Sequence, residues 1–312
     1  MQQIIDEHLW QKIISPDSFS GEVRFREDMK KHTSLKIGGP AEVLAFPQDV
    51  VSLKNMLTAL KRKDIPFMTI GGGTNLLVRD GGIDGVVISL RDFRRIEPLR
   101  EEDDLIPFFV ETGVPLQKFV GFAKENGYSG IEGLVGIPGS VGGAIAGNAG
   151  SFGYEIKNVL VSVTAIYADG RLDKLNAGEL GLEYRAAKIP AGSIILSANI
   201  RLRRDMKEDI AKRIDGFLRE KRERQPLAEQ SAGCVFKNPG VTYAGKLIDE
   251  AGCKGMRIGD VEVSTVHANF LINKGNASAS DFIRLMDAVR ARVMEVFGIE
   301  LEPEIRIVGR DE

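Results

Sequence analysis

Cysteine is scarce in this chain of 312 residues: Cys234 and Cys253 are too few for a disulfide framework. Only three histidines are present, His8, His32 and His267, and their wide separation gives no metal-ligand spacing, so no metal is expected. Neither charge sign dominates. The 42 basic and 44 acidic residues leave a net charge of -2, so no global positive field draws the chain to nucleic acid or an anionic membrane. Long apolar runs are also missing. The one extended uncharged stretch, 133–154, is rich in glycine and includes Pro138 and Asn148, a composition that a membrane-spanning helix does not tolerate. The opening MQQIIDEHLW lacks a basic segment followed by an apolar one, so a reducing, cytoplasmic location is expected.

What is present describes a globular chain with more than one core. Hydrophobic residues make up 43% and charged residues 28%, which excludes disorder and collagen, and the length suggests roughly two domains. Ile5, Leu9 and Ile13 share a helical face that Pro16 ends. A strand at 42–46, a helix at 50–63 with Val51, Leu53, Met56, Leu57 and Leu60 inward, and a strand at 67–70 read as a β-α-β unit. Short apolar runs follow at 76–78 and 86–90, and an acidic loop at 101–104 precedes a strand at 106–111. Pro115 starts a helix that Asn126-Gly127 ends. Beyond the glycine-rich stretch, strands at 159–167 and 194–202 flank a turn at 168–170, the second alternating through Ile194, Leu196, Ala198, Ile200 and Leu202. From Asp205 a long charged helix reaches Arg224, and the change in composition places a domain boundary near 205. Interleaved Asp209, Asp215, Glu220 and Glu223 make this helix a solvated face rather than a phosphate track. Helices at 243–250 and 280–297, a buried strand at 269–272 and a last strand at 303–308 complete an α+β pattern.

Glycine is the informative excess, with 35 residues. The cluster Gly71-Gly72-Gly73-Thr74-Asn75 directly follows a strand, where small residues permit positive φ and a concave nest of N–H groups suited to an anion. A tight turn is the alternative for this cluster alone. It is neither a Walker A loop nor a Rossmann fingerprint, because the required Lys-Ser/Thr and glycine spacing are absent. The second cluster, 136–143 with 147–150, is too long for one turn, and such conformationally costly backbone implies a large ligand lying against it. Two nests suit a dinucleotide.

Five segments in order, His32-Thr33-Ser34-Leu35-Lys36-Ile37-Gly38-Gly39-Pro40, 71–75, 136–150, Ser231-Ala232-Gly233-Cys234-Val235-Phe236-Lys237-Asn238-Pro239 and Leu301-Glu302-Pro303-Glu304-Ile305-Arg306, resemble the UDP-N-acetylenolpyruvoylglucosamine reductases over almost the whole chain. The resemblance implies an α+β fold: a para-cresol methylhydroxylase-type FAD-binding domain of two α+β subdomains plus a smaller α+β substrate-binding domain. The corresponding division is an N-terminal helical segment at 1–30, an FAD domain at 31–204 with subdomains at 31–95 and 96–204, a substrate domain at 205–300, and a C-terminal strand at 301–312. It also implies NADPH as hydride-donating co-substrate and UDP-N-acetylglucosamine enolpyruvate as substrate. FAD is expected to be non-covalent, since the first glycine loop has neither histidine nor cysteine.

Residue by residue, the resemblance assigns Arg185 to the substrate carboxylate and its enolate, Cys234 to the proton donor that is serine in well-known relatives, and Glu304 to a hydrogen bond on the enolate. It places Gly71, Gly72, Gly73, Thr74 and Asn75, then Pro138, Gly139, Ser140 and Val141, then Asn148, Ala149 and Gly150, around the FAD. Tyr184, Lys237, Asn238 and His267 are expected at the substrate. The chain passes from Tyr184-Arg185 through Lys188-Ile189-Pro190 directly to the next strand, without the tyrosine-bearing insertion of some members, which suggests the shorter subtype. Two alternatives stay open: another FAD-dependent oxidoreductase of the same fold with a different substrate, and a nucleotide-binding module without catalysis.

Overall fold

The computed structural model describes residues 5–100, 105–240 and 242–311, so the acidic loop expected at 101–104 and the first four residues lie outside it. The chain divides into two compact units drawn from separated stretches. The first gathers the described residues of Met1–Phe25, Val43–Gly72 and Gly85–Glu220, and the second those of Arg26–Glu42, Gly73–Asp84 and Lys221–Glu312.

A four-stranded sheet runs in the order Gly21–Asp28, Pro40–Pro47, Ile83–Ser89, Phe67–Ile70. Its last two strands are parallel, and Ile83–Ser89 lies between the two strands of the β-α-β unit. The connecting helix is Val50–Arg62, started by Asp49, whose carboxylate accepts from the Ser52 amide. Leu53, Met56, Leu57 and Leu60 are buried as expected, but Val51 is 67% exposed. At about 100° per residue, Val51 lies roughly 200° from Leu53 and so falls on the opposite face.

The larger sheet of the first unit has the order Leu172–Asn176, Leu160–Tyr167, Ser193–Arg204, Leu105–Glu111, Ile96–Pro98. The expected alternation along Ser193–Arg204 fails in its middle. Thr164 opposes Ser197 while Ala165 opposes Ile195, leaving Leu196 as the extra residue of a bulge. Ile194 and Leu196 therefore pack in one core and Ala198, Ile200 and Leu202 in another. Thr112 holds this bulge, its hydroxyl donating to the carbonyls of Ile195 at 2.9 Å and Leu196 at 3.2 Å. The helix Leu116–Asn126 starts after Pro115 and ends on left-handed Gly127, as its sequence dictates. The charged helix Lys207–Arg224 does not begin a separate body: Ile210 and Ile214 are buried in the core of the first unit.

That unit also encloses a charge. Glu132 is 1% exposed, and its carboxylate accepts from Ser129 Oγ at 2.9 Å, the Gly130 amide at 2.7 Å and Arg213 Nη2 at 2.6 Å. Burial pushes this carboxyl up, but the hydrogen bonds from Gly130, Arg213 and Ser129 outweigh it and hold the group below the usual carboxylate range. Glu132→Gln is expected to cost about 2–3 kcal/mol of stability by leaving Arg213 poorly matched. A carboxyl depressed on folding stabilises fully above its unfolded value of about 4.3 and loses that contribution as pH falls through the lower folded value. The difference in melting temperature between the natural chain and Glu132→Gln should therefore shrink from pH 7 toward pH 3; a constant difference would refute the ionised clamp.

The second unit carries an antiparallel sheet ordered Gln230–Cys234, Phe270–Asn273, Val261–Val263, Arg257–Ile258. Helices Ala244–Glu250 and Ala279–Phe297 contribute Leu247, Ile248, Phe282, Leu285 and Val289 to its core. Asp80 caps the long helix from a distant loop, accepting the Ala279 amide at 2.8 Å and the Ser280 amide at 2.9 Å. The final strand is Arg306–Val308, shorter than expected, and pairs in parallel with Leu76–Val78. Glu304 consequently lies just ahead of that strand.

Candidate active site

In the first unit the two glycine clusters meet. A Cβ added at Gly71 would lie 2.6 Å from Ser140 Oγ, and one added at Gly142 would lie 2.7 Å from Thr112 Cβ. Only bare backbone permits this approach. Much of the expected nest in the second cluster is occupied internally: the Val141 amide donates to Val114 O at 2.9 Å, Gly142 to Thr112 O at 2.9 Å, and Gly143 to Ser140 Oγ at 3.2 Å. The amides of Asn148 and Ala149 likewise donate to the Ile145 and Ala144 carbonyls. Among the described residues, the amides of Gly71, Gly72, Gly139 and Ser140 have no protein acceptor. Four unengaged N–H groups on two touching glycine loops fit the diphosphate of a dinucleotide.

The Tyr184-Arg185 turn belongs to the same unit. Arg185 has φ +57°, an uncommon conformation for a side chain of this size, and its Nη1 donates to Gly150 O at 3.2 Å. Its guanidinium lies 5.3 Å from the ring centroid of Tyr184, which is 49% exposed. Asn148 is buried, and its side chain reaches toward the same turn through Glu183 O at 2.9 Å.

In the second unit, the backbone brings Cys234 and Glu304 onto one strand end. The Glu304 amide donates to Val235 O at 2.7 Å, next to Cys234, and Phe236 forms a bridge with Pro303. Asn75 is tied to the same place: its Nδ2 donates to Glu304 O at 3.1 Å, and its carbonyl accepts the Arg306 amide at 3.2 Å. Gly73 has φ +62°, and a Cβ there would be 2.0 Å from His32 O. Its carbonyl accepts the Ser34 amide at 3.0 Å, while Ser34 Oγ donates to Ser231 O at 2.6 Å. The Ser34 link explains the conjunction of the first and fourth motif segments, a role that the sequence motif contained but did not assign. Thr74 continues this loop between Gly73 and Asn75.

Lys237 pairs through Nζ with the Glu302 carboxylate, and Asn238 Oδ1 accepts the Ala244 amide at 3.0 Å. His267 is half-buried; its Nδ1 accepts the Asn269 amide at 3.3 Å and its ring stands edge-on to Phe270 at 4.9 Å. Burial pushes its pKa down, favouring the neutral ring. That geometry gives His267 a clear structural role at the strand partner of Cys234. Arg185 thus stands in the first unit, while Cys234 and Glu304 stand in the second. Among the described residues, no cluster of three histidine, cysteine, aspartate or glutamate side chains is arranged for a metal, and no helix is long and apolar enough to cross a membrane.

A family model described as "FAD binding domain" matches residues 41–176. With the α+β architecture and the glycine loops, this defines an FAD-binding protein of the oxidoreductase class. A second model, "UDP-N-acetylenolpyruvoylglucosamine reductase, C-terminal domain", matches residues 225–308. The UDP-N-acetylenolpyruvoylglucosamine reductase of Geotalea uraniireducens is 42% identical over 291 residues, covering 93% of this chain and 95% of its own. That of Oceanobacillus iheyensis is 38% identical, with 98% of each chain covered. The crystal structure of the Thermus caldophilus reductase superposes with a TM-score of 0.79 at 34% identity, over 93% of this chain and all of that one. The chain belongs to the UDP-N-acetylenolpyruvoylglucosamine reductase family.

Proposed function

We propose that the chain reduces UDP-N-acetylglucosamine enolpyruvate to UDP-N-acetylmuramate, with NADPH as reductant, in the supply of peptidoglycan precursors. FAD, held non-covalently at the amides of Gly71, Gly72, Gly139 and Ser140, would supply the hydride chemistry that links NADPH to C3 of the enolpyruvyl group. The chain's own residues must then hold the acceptor, stabilise charge that develops toward the carboxylate, and add a proton at C2, converting the C2=C3 double bond to the lactyl ether.

Gly71, Gly72, Gly139 and Ser140 supply amides for the cofactor's diphosphate, while Gly73, Thr74, Asn75, Pro138, Val141 and Gly150 shape the surrounding surface. Arg185 offers a planar, permanently charged fork that orients the substrate carboxylate and offsets the enolate. Glu304, in its protonated form, donates a hydrogen bond to that enolate. The Cys234 thiol releases its proton to C2 and regains one from solvent. Lys237 and Asn238 face the UDP portion, with Tyr184 and His267 completing the substrate surroundings. Soluble nucleotide substrates fit action in the cytoplasm.

The observation that carries this reading is the backbone link from Glu304 to Val235, next to Cys234, in a chain that matches a reductase of the family over 98% of its length. The direct test is anaerobic. NADPH should bleach the yellow holoenzyme, and UDP-N-acetylglucosamine enolpyruvate should restore the oxidised visible band without oxygen. A flavin that stays reduced after the nucleotide is added excludes it as the substrate.

A further inference from the structure

We propose that Asn148 is a positioning residue for Arg185, acting through the Glu183–Ala186 turn rather than as a ligand of the cofactor. The sequence places Asn148 in a glycine cluster, where its neighbours suggest cofactor contact. Its side chain points to a different task. Asn148 is 1% exposed, and its amide group is saturated: Nδ2 donates to Glu155 Oε2 at 2.9 Å and to Glu183 O at 2.9 Å, while Oδ1 accepts the Lys157 amide at 3.0 Å. Both Nδ2 hydrogens and the carbonyl oxygen are committed within the protein, leaving no donor for FAD.

The turn that Asn148 grips presents Arg185. The Glu183 and Ala186 amides and carbonyls exchange hydrogen bonds at 3.0 and 3.2 Å, closing the chain around Tyr184 and Arg185. Arg185 holds φ +57° there, a conformation that persists only where its surroundings over-determine it. Its side chain returns to Gly150, two positions beyond Asn148, so the backbone and the guanidinium are both referred to the 148–155 segment. Asn148 itself has φ +39°, which asparagine tolerates better than most residues. Phe152 stacks on Phe217 with ring centroids 4.4 Å apart, bracing the 148–155 segment against the Lys207–Arg224 helix. A displaced Asn148 would leave Glu183 O without this donor and let the turn relax.

This inference rests on the assignment of Arg185 to the substrate carboxylate, and the test separates the two. Asn148→Gly keeps the left-handed backbone while deleting the amide. In the anaerobic cycle it should retain FAD and be bleached by NADPH within about threefold of the natural rate, whereas recovery of the band on adding the enolpyruvyl nucleotide should slow by about tenfold or more, as misplacement of a distant group does. In an Arg185→Lys background, adding Asn148→Gly should slow recovery by no more than about twofold, since both changes remove one function. A full further tenfold loss, or FAD loss with normal recovery in the bound fraction, overturns the proposal. An Arg185→Lys enzyme that recovers at the natural rate overturns the Arg185 assignment and this inference with it. Should Asn148→Gly fail to fold, Glu155→Gln, at a half-exposed position, weakens the Glu155 bond that orients the Asn148 amide toward Glu183 and should slow recovery by about threefold; unchanged recovery there overturns the proposal.

Discussion

Cys234→Ala is expected to retain FAD and its reduction by NADPH while slowing reoxidation by the enolpyruvyl nucleotide by about 10²–10⁴-fold, the range supplied by a positioned general acid. Cys234→Ser should restore most of that rate. Cys234 ends the Gln230–Cys234 strand, paired with Phe270, and is half-buried, so a thiol-to-methyl change removes little volume from the second unit's core. Stability should therefore move less than chemistry. The other cysteine supplies the control: Cys253 is fully buried, and burial pushes its thiol pKa up, so Cys253→Ala should reduce stability and leave the two half-reactions nearly unchanged in the folded enzyme. Stopped-flow measurement of each half-reaction distinguishes the outcomes. Normal reoxidation in Cys234→Ala would remove the thiol from the mechanism.

Local periodicity was enough to read the helices and most strands, because burial on one face leaves a repeating mark in the sequence. Phe67–Ile70 and Leu76–Val78 fall on their expected residues, and Pro115 and Gly127 bracket their helix. What periodicity cannot contain is a partner's register. The face change along Ser193–Arg204 comes from pairing against Leu160–Tyr167, with Leu196 squeezed out, and no residue of that strand announces it. The same limit applies to the units: the short strand Leu76–Val78 reads like any other apolar run, yet its parallel partner is Arg306–Val308.

Sites divide along similar lines. Glycine content signals backbone approach, and the Gly71–Ser140 contact fits that reading. Which amides remain unengaged depends on neighbours as remote as Thr112 and Val114, so the sequence could not separate Gly139 and Ser140 from Val141. Asn148 is the sharpest case: composition groups it with the glycines, while its side chain is committed to Glu155, to the Lys157 amide and, through Glu183 O, to a turn far along the chain. Glu155, missed entirely, carries no signal except its spacing from Asn148; its hydrogen bond with Lys157, then that with Asn148, and the nearby Arg185 charge hold its carboxyl below the usual range.

Glu304 yields the second large effect, and its substitutions separate charge from hydrogen-bond donation. The residue is held by its own backbone: its amide donates to Val235 O at 2.7 Å and its carbonyl accepts Asn75 Nδ2 at 3.1 Å. Changing the side chain leaves both anchors in place, so the strand end and Cys234 should keep their positions. Glu304→Ala removes the donor to the enolate and is expected to slow reoxidation by about 10²–10³-fold, the cost of deleting one donor at a developing oxyanion. Glu304→Gln retains an N–H donor and should be much faster than the alanine variant. If Glu304→Gln is as slow as Glu304→Ala, hydrogen-bond donation is not what this position contributes.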